Sequence, residues 1–399
     1  MKLNNFIQKN QFLFLVLIVI FIGVLWRVFE INTFKAFSAG EITILSTALT
    51  TIHNHFQLAV SNLSQAVFIY FVAIIGQLSH FNPLAFRFIQ ATIGILSSVI
   101  FFLFVKSWFN KQVALISTLF FTTNAFLIIL SRAIDPAMLI ILLQLLILYV
   151  LTIAFREKNI YLFVLGGLLA GLGFYLSPFF VLSGILITLA GIAVVMKNKK
   201  ILTVYRYELI ALIISVLAAA SYYFYRLPLF YSDLFNFFNP GSIATFYLNM
   251  GANVLAVFSN TQTRTILNVG TEPLVDPFIA VTFFCGVIYA LFHSNKRKYL
   301  FLMLWLLAAL IVISLANFQG ISNLVLLMPA LFIFSASILD YVLTNWTRTF
   351  PFNRSAKLVM ALIFSLFLFL SVYYNYQKFF YGWQENQVIK SSFTKELHE

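Results

Sequence analysis

The sequence predicts an all-α polytopic membrane protein with about eleven transmembrane helices and juxtamembrane helices on its outer face. Of its 399 residues, 62% are hydrophobic and only 9% are charged, whereas a water-soluble domain carries about 25% charged residues. The apolar stretches are continuous and do not alternate at every second residue, which favours spanning helices over an outer-membrane barrel. The single cysteine, Cys285, excludes a disulfide framework and any multi-thiolate metal site.

The candidate spans are apolar runs separated by charged or polar residues, and most of them approach the roughly 20 residues that a spanning helix needs. They cover residues 11–26, 88–105, 112–130, 137–155, 160–175, 178–196, 208–225, 278–292, 299–316, 323–341 and 358–375. No small-x-small cleavage site follows the first run, so we interpret that run as a retained helix and not as a signal peptide.

Charge orients these spans. Most of the 25 Lys and Arg residues lie in loops on the same side as the N-terminus, and basic loops face the cytoplasm. This predicts a multi-pass protein of the cytoplasmic membrane with its N-terminus inside. The run Ser64–Ser79 is about 15 residues long, which is short for a span. A span there would move most of the bases outside, so we expect a helix that lies on or dips into the outer leaflet.

These assignments describe one transmembrane domain over residues 1–375 and a short outer tail at 376–399. The outer face has a first loop at 27–87, a short second loop at 131–137 and a long loop at 226–277. A loop as long as the third is uncommon in a compact protein unless it functions. We therefore expect the functional residues in these outer loops.

Glu41 begins an amphipathic helix in the first loop, and it has two interpretations. A carboxylate in a first helical turn is favoured by the helix dipole, and Ser38 precedes it as an N-cap candidate, so Glu41 can be a residue that stabilises the helix end. The alternative is a general base at the membrane–water boundary.

The second loop holds Arg132 and Asp135 three residues apart, with Pro136 at a helix start. One interpretation is a capped helix with a local ion pair. The other makes Asp135 a second acid or an orienting partner, and Arg132 a phosphate ligand, because the guanidinium fork matches phosphate oxygens.

Other classes of site have little support in the sequence. His53 and His55 are two residues apart, whereas a helical metal site needs spacings of three or four. The sequence has no P-loop, GxGxxG, DxD or GxSxG motif. The net charge of +13 is explained by basic loops at the membrane, so no nucleic-acid partner is predicted.

Several short motifs follow one another in a specific order. They are Gly40-Glu41-Ile42, Ala66–Ile74, Asn82–Ser97, Ser131–Met138, Gly171–Phe180 and Asn268–Phe278. Together they resemble the GT-C superfamily of integral membrane glycosyltransferases. The similarity is to the family 39-like group, which includes protein mannosyltransferases and lipid A aminoarabinose transferases.

The resemblance implies transfer of a sugar from a polyprenyl-phosphate carrier to a glycan, lipid or protein acceptor on the outer face. It implies a single inverting displacement without a metal or another cofactor. By position, Glu41 is the implied base, Asp135 the second-loop acid and Arg132 a ligand of the lipid phosphate. The further substrate-binding candidates are Arg264, Asn268 and Tyr70.

Two departures from the family pattern keep an alternative open. Gly40 stands where the family has an aspartate, and Asn323, six residues before Pro329, stands where members often have an arginine. The alternative is a non-catalytic homologue that binds a lipid-linked sugar or assists a partner enzyme. A lipid or sugar transporter is less favoured, because the sequence has neither inverted repeats nor paired polar residues at mid-span.

Overall fold

The computed structural model describes residues 2–34, 36–53, 65–180, 182, 184–186, 205–221, 241–259, 267–268, 272–293, 296–316 and 320–393. All regular elements of these residues are helices, and no strand occurs among them. The predicted all-α class is confirmed.

The helices are numbered here in chain order. They are α1 Lys2–Val28, α2 Ala39–His53, α3 Ala66–Ser79, α4 Pro83–Trp108, α5 Lys111–Thr123, α6 Ala125–Leu130, α7 Ala137–Glu157, α8 Ile160–Gly173, α9 Arg206–Ala219, α10 Ile243–Phe258, α11 Pro277–Phe292, α12 Arg297–Leu315, α13 Met328–Thr349, α14 Arg354–Tyr376 and α15 Gln387–Ser392. Short 3₁₀ helices cover Ile31–Thr33 and Ile321–Leu326, and a π-helix covers Gln377–Gln384.

Six helical stretches of the described residues are long and apolar enough to cross a membrane. They are Gln11–Thr33, Pro83–Trp108, Ala137–Glu157, Arg297–Leu315, Ile321–Thr349 and Arg354–Gln384. Shorter apolar helices cover Ala66–Ser79, Ile160–Gly173, Ile243–Phe258 and Pro277–Phe292. The chain is therefore a multi-pass membrane protein.

The predicted span 112–130 is two helices, α5 and α6, separated by Asn124. This residue has an extended backbone, with φ −65° and ψ 123°, and its side-chain oxygen accepts from the backbone N–H of Leu127 at 3.2 Å. The capping interaction stops one helix and starts the next. Most of the predicted span 178–196 lies outside the described residues.

Loop segments contact one another at the two ends of the helices. At one end, α2 packs against α3, and the backbone N–H of Val67 donates to the carbonyl of Tyr175 at 2.9 Å. At the other end, the amide of Asn110 donates to Asp340 at 2.7 Å. Between the two ends α13 is enclosed by other helices, while α14 exposes most of its apolar surface.

The predicted outer tail begins with an ordered segment, residues 377–393, which we call the C-terminal segment. It consists of the π-helix and α15, and it packs on α6 and on the start of the first loop. The apolar side chains of this contact are Phe34, Ala125, Ile128, Ile129, Phe379, Phe380, Trp383, Ile389 and Phe393. The C-terminal segment therefore lies against both the first and second loops.

Candidate functional site

Glu41 lies in the first turn of α2 and forms a reciprocal capping box with Ser38. The backbone N–H of Ser38 donates to Glu41 Oε2 at 2.8 Å, and the backbone N–H of Glu41 donates to Ser38 Oγ at 3.3 Å. This arrangement satisfies two N–H groups at the helix start that have no partner within the helix. One carboxylate oxygen of Glu41 therefore stabilises its own helix.

The other oxygen of Glu41 joins the first loop to the second. Oε1 accepts from the backbone N–H of Ile134 at 3.0 Å and lies 3.6 Å from Arg87 Nη1. The Glu41 side chain is 4% exposed. A general base needs an oxygen within hydrogen-bond reach of the substrate proton. Both oxygens of Glu41 face protein donors, so this geometry favours the helix-end interpretation over the role of base.

Arg87, near the start of α4, is the centre of the contacts that surround Glu41. Its Nε donates to Phe34 O at 3.0 Å and its Nη2 to Ala36 O at 2.8 Å, while Nη1 donates to Arg132 O at 2.8 Å. Arg87 lies within the motif Asn82–Ser97 but was not predicted as a site residue. A charged residue in the second turn of an apolar helix, four residues after Pro83, was the available signal.

Arg132 is enclosed by protein. Its side chain is 1% exposed, with Nη2 donating to Trp26 O at 2.9 Å and to Phe29 O. Nη1 donates to Gln384 Oε1 at 3.3 Å, and the guanidinium lies 4.7 Å from the centre of the Phe379 ring. The two carbonyls belong to the C-terminal end of α1 and the turn after it, where the helix dipole favours a cation.

These contacts bear on the predicted role of Arg132 as a phosphate ligand. Burial, the largest cause, and repulsion from Arg87 lower the pKa of Arg132 to about 9, and the charge of Glu30 opposes this shift. The residue is still a cation at neutral pH. Its Nη1 and Nη2 groups donate to protein acceptors. In this arrangement Arg132 connects the second loop to α1 and to the C-terminal segment.

Asp135 differs from Glu41 because part of its side chain remains accessible. Its Oδ1 accepts from the backbone N–H of Ala137 at 2.8 Å, and the Ser322 hydroxyl donates to the carboxylate. Burial by surrounding protein is the largest cause that raises the pKa of Asp135 to about 6, and the charge of Glu41 adds to it. Asp135 is thus a partly accessible carboxylate that titrates close to neutral pH, as a general base should.

The short helix that includes the position of the family arginine contacts Asp135 through Ser322. Ser322 and Asn323 belong to the 3₁₀ helix Ile321–Leu326, which packs against α7. The hydrogen bond from Ser322 places this segment directly at the Asp135 carboxylate. Asn323 therefore directly follows, along the chain, the residue that binds the Asp135 carboxylate.

Gly40, at the position of the family aspartate, is exposed at the start of α2. A Cβ atom built on Gly40 meets no atom within 4 Å. The backbone therefore has space for an aspartate side chain at position 40, and the glycine is not required by close packing.

Of the remaining predicted substrate-binding residues, Asn268 and Tyr70 are among the described residues and Arg264 is not. Asn268 is buried, and its amide donates to Glu272 O at 2.6 Å, which shapes the approach to α11. Tyr70 is half-buried on α3. Arg264 lies outside the described residues. The structure thus brings Glu41, Arg132 and Asp135 into one region.

No group of three or more His, Cys, Asp or Glu side chains that could hold a metal ion occurs among the described residues. His53 is exposed at the end of α2, and its Nδ1 lies 3.0 Å from Leu49 O. His55 lies outside the described part of the chain.

The arrangement can be compared with known proteins. The sequence profile of the dolichyl-phosphate-mannose-protein mannosyltransferase family matches residues 65–223. The apo oligosaccharyltransferase of Archaeoglobus fulgidus superposes with a TM-score of 0.62 at 16% identity, over 93% of this chain and 56% of that chain. The chain has a GT-C fold.

Two further GT-C structures contain lipid phosphates. The Archaeoglobus fulgidus oligosaccharyltransferase AglB, in complex with an inhibitory peptide and a dolichol-phosphate, has a TM-score of 0.62 at 14% identity, over 94% of this chain and 56% of that chain. ArnT from Cupriavidus metallidurans, bound to undecaprenyl phosphate, has a TM-score of 0.55 at 12% identity, over 96% of this chain and 76% of that chain.

The GT-C likeness confirms the superfamily resemblance predicted from the motifs. The chain spans little more than half the length of the archaeal oligosaccharyltransferase chains that it matches. No curated protein sequence matches it significantly.

Proposed function

We propose that this protein is a glycosyltransferase that takes a sugar from a polyprenyl-phosphate carrier and transfers it to an acceptor on the outer face of the cytoplasmic membrane. The observation that carries the proposal is the Asp135 carboxylate, partly accessible in the second loop, with a pKa raised to about 6. The GT-C fold supports the reaction class, since its relatives include structures with dolichol-phosphate and undecaprenyl phosphate.

In the proposed reaction, Asp135 is the general base. The acceptor hydroxyl attacks the anomeric carbon of the sugar as its proton passes to Asp135. The bond between that carbon and the phosphate oxygen breaks, the electron pair stays on the oxygen, and polyprenyl phosphate leaves. One displacement of this kind inverts the anomeric centre.

Glu41, Arg87 and Arg132 contribute to this chemistry without contacting the reacting atoms. Glu41 and Arg87 fix the second loop through Ile134 N and Arg132 O. Both arginines are buried cations, and positive charge near a leaving phosphate lowers the energy of the transition state. The Nη groups of Arg87 and Arg132 already donate to protein acceptors. The two arginines therefore act on the phosphate through their charge and not through direct hydrogen bonds.

The test is carrier turnover by the purified full chain in lipid nanodiscs. A panel of radiolabelled polyprenyl-phosphate sugars is supplied with membrane lipid extract as acceptor, and released polyprenyl phosphate is measured with and without EDTA. We expect turnover by the wild type that survives EDTA and falls roughly a hundredfold in Asp135→Asn. Glu157→Gln, an exposed carboxylate at the far end of α7, is the matched control.

A second candidate is the non-catalytic homologue, which the glycine at position 40 and the asparagine at position 323 favour. It predicts carrier binding without turnover in the wild type. The same nanodiscs distinguish the two candidates. Binding of the labelled carrier is measured before the acceptor is added, and turnover, which only the enzyme shows, is measured afterwards.

A further inference from the structure

The C-terminal segment contacts both arginines that hold the second loop. Phe379 lies under the guanidinium of Arg132 at 4.7 Å, and Phe393 lies 5.1 Å from that of Arg87. Both rings belong to one apolar cluster with Phe34 of the first loop. Two buried guanidinium groups thus have aromatic partners supplied by residues that follow α14.

Gln384 makes the polar part of this contact, and its two amide atoms have different partners. Its Nε2 donates to Glu30 Oε2 at 2.6 Å and to Thr33 Oγ1 at 2.9 Å, while Oε1 accepts from Arg132 Nη1 at 3.3 Å. Gln384 is 2% exposed. Because a buried polar group that loses its partner is costly, this geometry resists any rotation of the Arg132 side chain.

The backbone of Arg132 and the residues after it carry this constraint to Asp135. Arg132 O accepts from Arg87, Ile134 N donates to Glu41, and Asp135 N donates to Ala133 O at 3.0 Å. The backbone is therefore held on both sides of Ala133, immediately before the proposed base. A change in the position of Arg132 moves the loop that presents the Asp135 carboxylate.

We propose that the C-terminal segment is part of the working site, in which Gln384 is a positioning residue that fixes Arg132 and, through it, the second loop. The catalytic consequence rests on the proposed function, whereas the structural consequence does not. The segment is separated from Arg132 by 252 residues of sequence, so only the folded protein brings them together.

The test compares three variants of the full chain with the wild type in nanodiscs. Gln384→Leu removes both hydrogen-bonding atoms at similar volume, and Gln384→Glu replaces the donor to Glu30 with a second acceptor. Gln387→Leu is the matched control, because Gln387 is an exposed glutamine at the start of α15. Amide hydrogen exchange is measured for residues 131–135 and 36–41.

We expect exchange in both loops to become roughly tenfold faster in the two Gln384 variants and to remain unchanged in Gln387→Leu. We also expect kcat to fall roughly tenfold or more while KM for the carrier changes little, because the carrier is still bound. The acidic limb of the pH profile should move to lower pH, since added water around Asp135 opposes the burial that raises its pKa.

The outcomes separate the two proposals. Unchanged exchange in both loops of the Gln384 variants overturns the positioning role, whatever the activity. Faster exchange with unaltered kcat and pH profile in an active enzyme also overturns it, because the contact is then merely structural. A wild type without turnover contradicts the proposed function, and the exchange data then decide the structural part alone.

Discussion

The carboxylate of Glu41 accepts a hydrogen bond from the backbone N–H of Ile134 at 3.0 Å, across 93 residues of sequence. This bond connects the first turn of α2 to the second loop. It makes the first-loop acid a support for the second-loop acid, and the proposed chemistry therefore belongs to Asp135.

Glu41→Gln tests this support. The variant removes the negative charge beside Arg87 and places an amide nitrogen opposite a backbone N–H donor, so we expect it to destabilise the fold by about 3 kcal/mol. Thermal unfolding in detergent micelles measures the effect, with Glu157→Gln as the control. Unaltered stability together with a hundredfold loss of turnover would instead make Glu41 the base.

Asp135→Asn separates chemistry from folding. The asparagine retains a side-chain oxygen that can accept from Ala137 N, but it cannot take a proton from the acceptor. We expect roughly a hundredfold loss of turnover with carrier binding retained. Release of polyprenyl phosphate and retention of labelled carrier on the nanodiscs give the two readouts. Turnover within a few-fold of the wild type would exclude Asp135 as the base.

The pH dependence follows from the raised pKa of Asp135, about 6 in the folded protein. The base must be ionised, so kcat/KM should rise about tenfold per pH unit below 6 and level off above it. Initial rates measured from about pH 4.5 to 8 reveal the limb. A profile without an inflection near pH 6 contradicts the assignment.

The same shift has a consequence for stability. A solvated aspartate titrates at about 3.9, so between this value and about 6 the folded state binds more protons than the unfolded state. The contribution of Asp135 to the free energy of unfolding therefore falls as pH rises through this window. Above it the contribution is constant, so the destabilisation persists at neutral pH. We expect Asp135→Asn to raise the unfolding temperature at pH 7.5 but not at about pH 4.

Gly40→Asp restores the family residue. The space around Gly40 is open, and an acid in the first turn of a helix interacts favourably with its dipole. We expect stability to be retained or raised by up to about 1 kcal/mol, with turnover within about twofold of the wild type because Asp135 is the base. Unfolding temperature and carrier turnover are the measurements. A tenfold or larger gain in turnover would mean that the missing aspartate limits the reaction.

The close crossing of α8 and α9 provides a test of helix packing. A Cβ atom on Gly167 of α8 would lie 1.9 Å from Ser215 Oγ and 2.7 Å from Leu212 O of α9. Small residues permit such close approach of membrane helices. We expect Gly167→Ala to destabilise the fold by about 1–3 kcal/mol, as measured by thermal unfolding. Gly251→Ala, where a Cβ atom meets nothing within 4 Å, is the control and should be neutral or stabilising.

Several elements could be predicted because their signals are local. Continuous apolar runs predicted the helices, although α4 begins at Pro83, five residues before the predicted span 88–105, where Asn82 Oδ1 accepts from Leu84 N. Ser38 was predicted as an N-cap candidate. The division of the predicted span 112–130 at Asn124 was missed, because the cap depends on one polar side chain within an apolar run.

The site was only partly predictable. Glu41, Arg132 and Asp135 were selected by position and do lie in one region. Their charges and types do not show which oxygen remains accessible, because that depends on donors from distant segments, such as Ile134 for Glu41. The family resemblance pointed to Glu41 as the base because of its position in a motif. A motif carries no information about the hydrogen-bond partners of a side chain, so it could not show that both oxygens of Glu41 face protein donors.

By itself, the sequence determined that this chain is a helical, multi-pass membrane protein with a GT-C arrangement of motifs. Apolar content and loop charge act residue by residue, so they can be read without knowledge of contacts. Only the tertiary structure decided that Glu41 supports a loop, that Asp135 remains partly accessible, and that the C-terminal segment contacts Arg87 and Arg132. These depend on pairings across 93 or more residues, where burial and hydrogen-bond geometry, and not residue type, determine what each side chain can do.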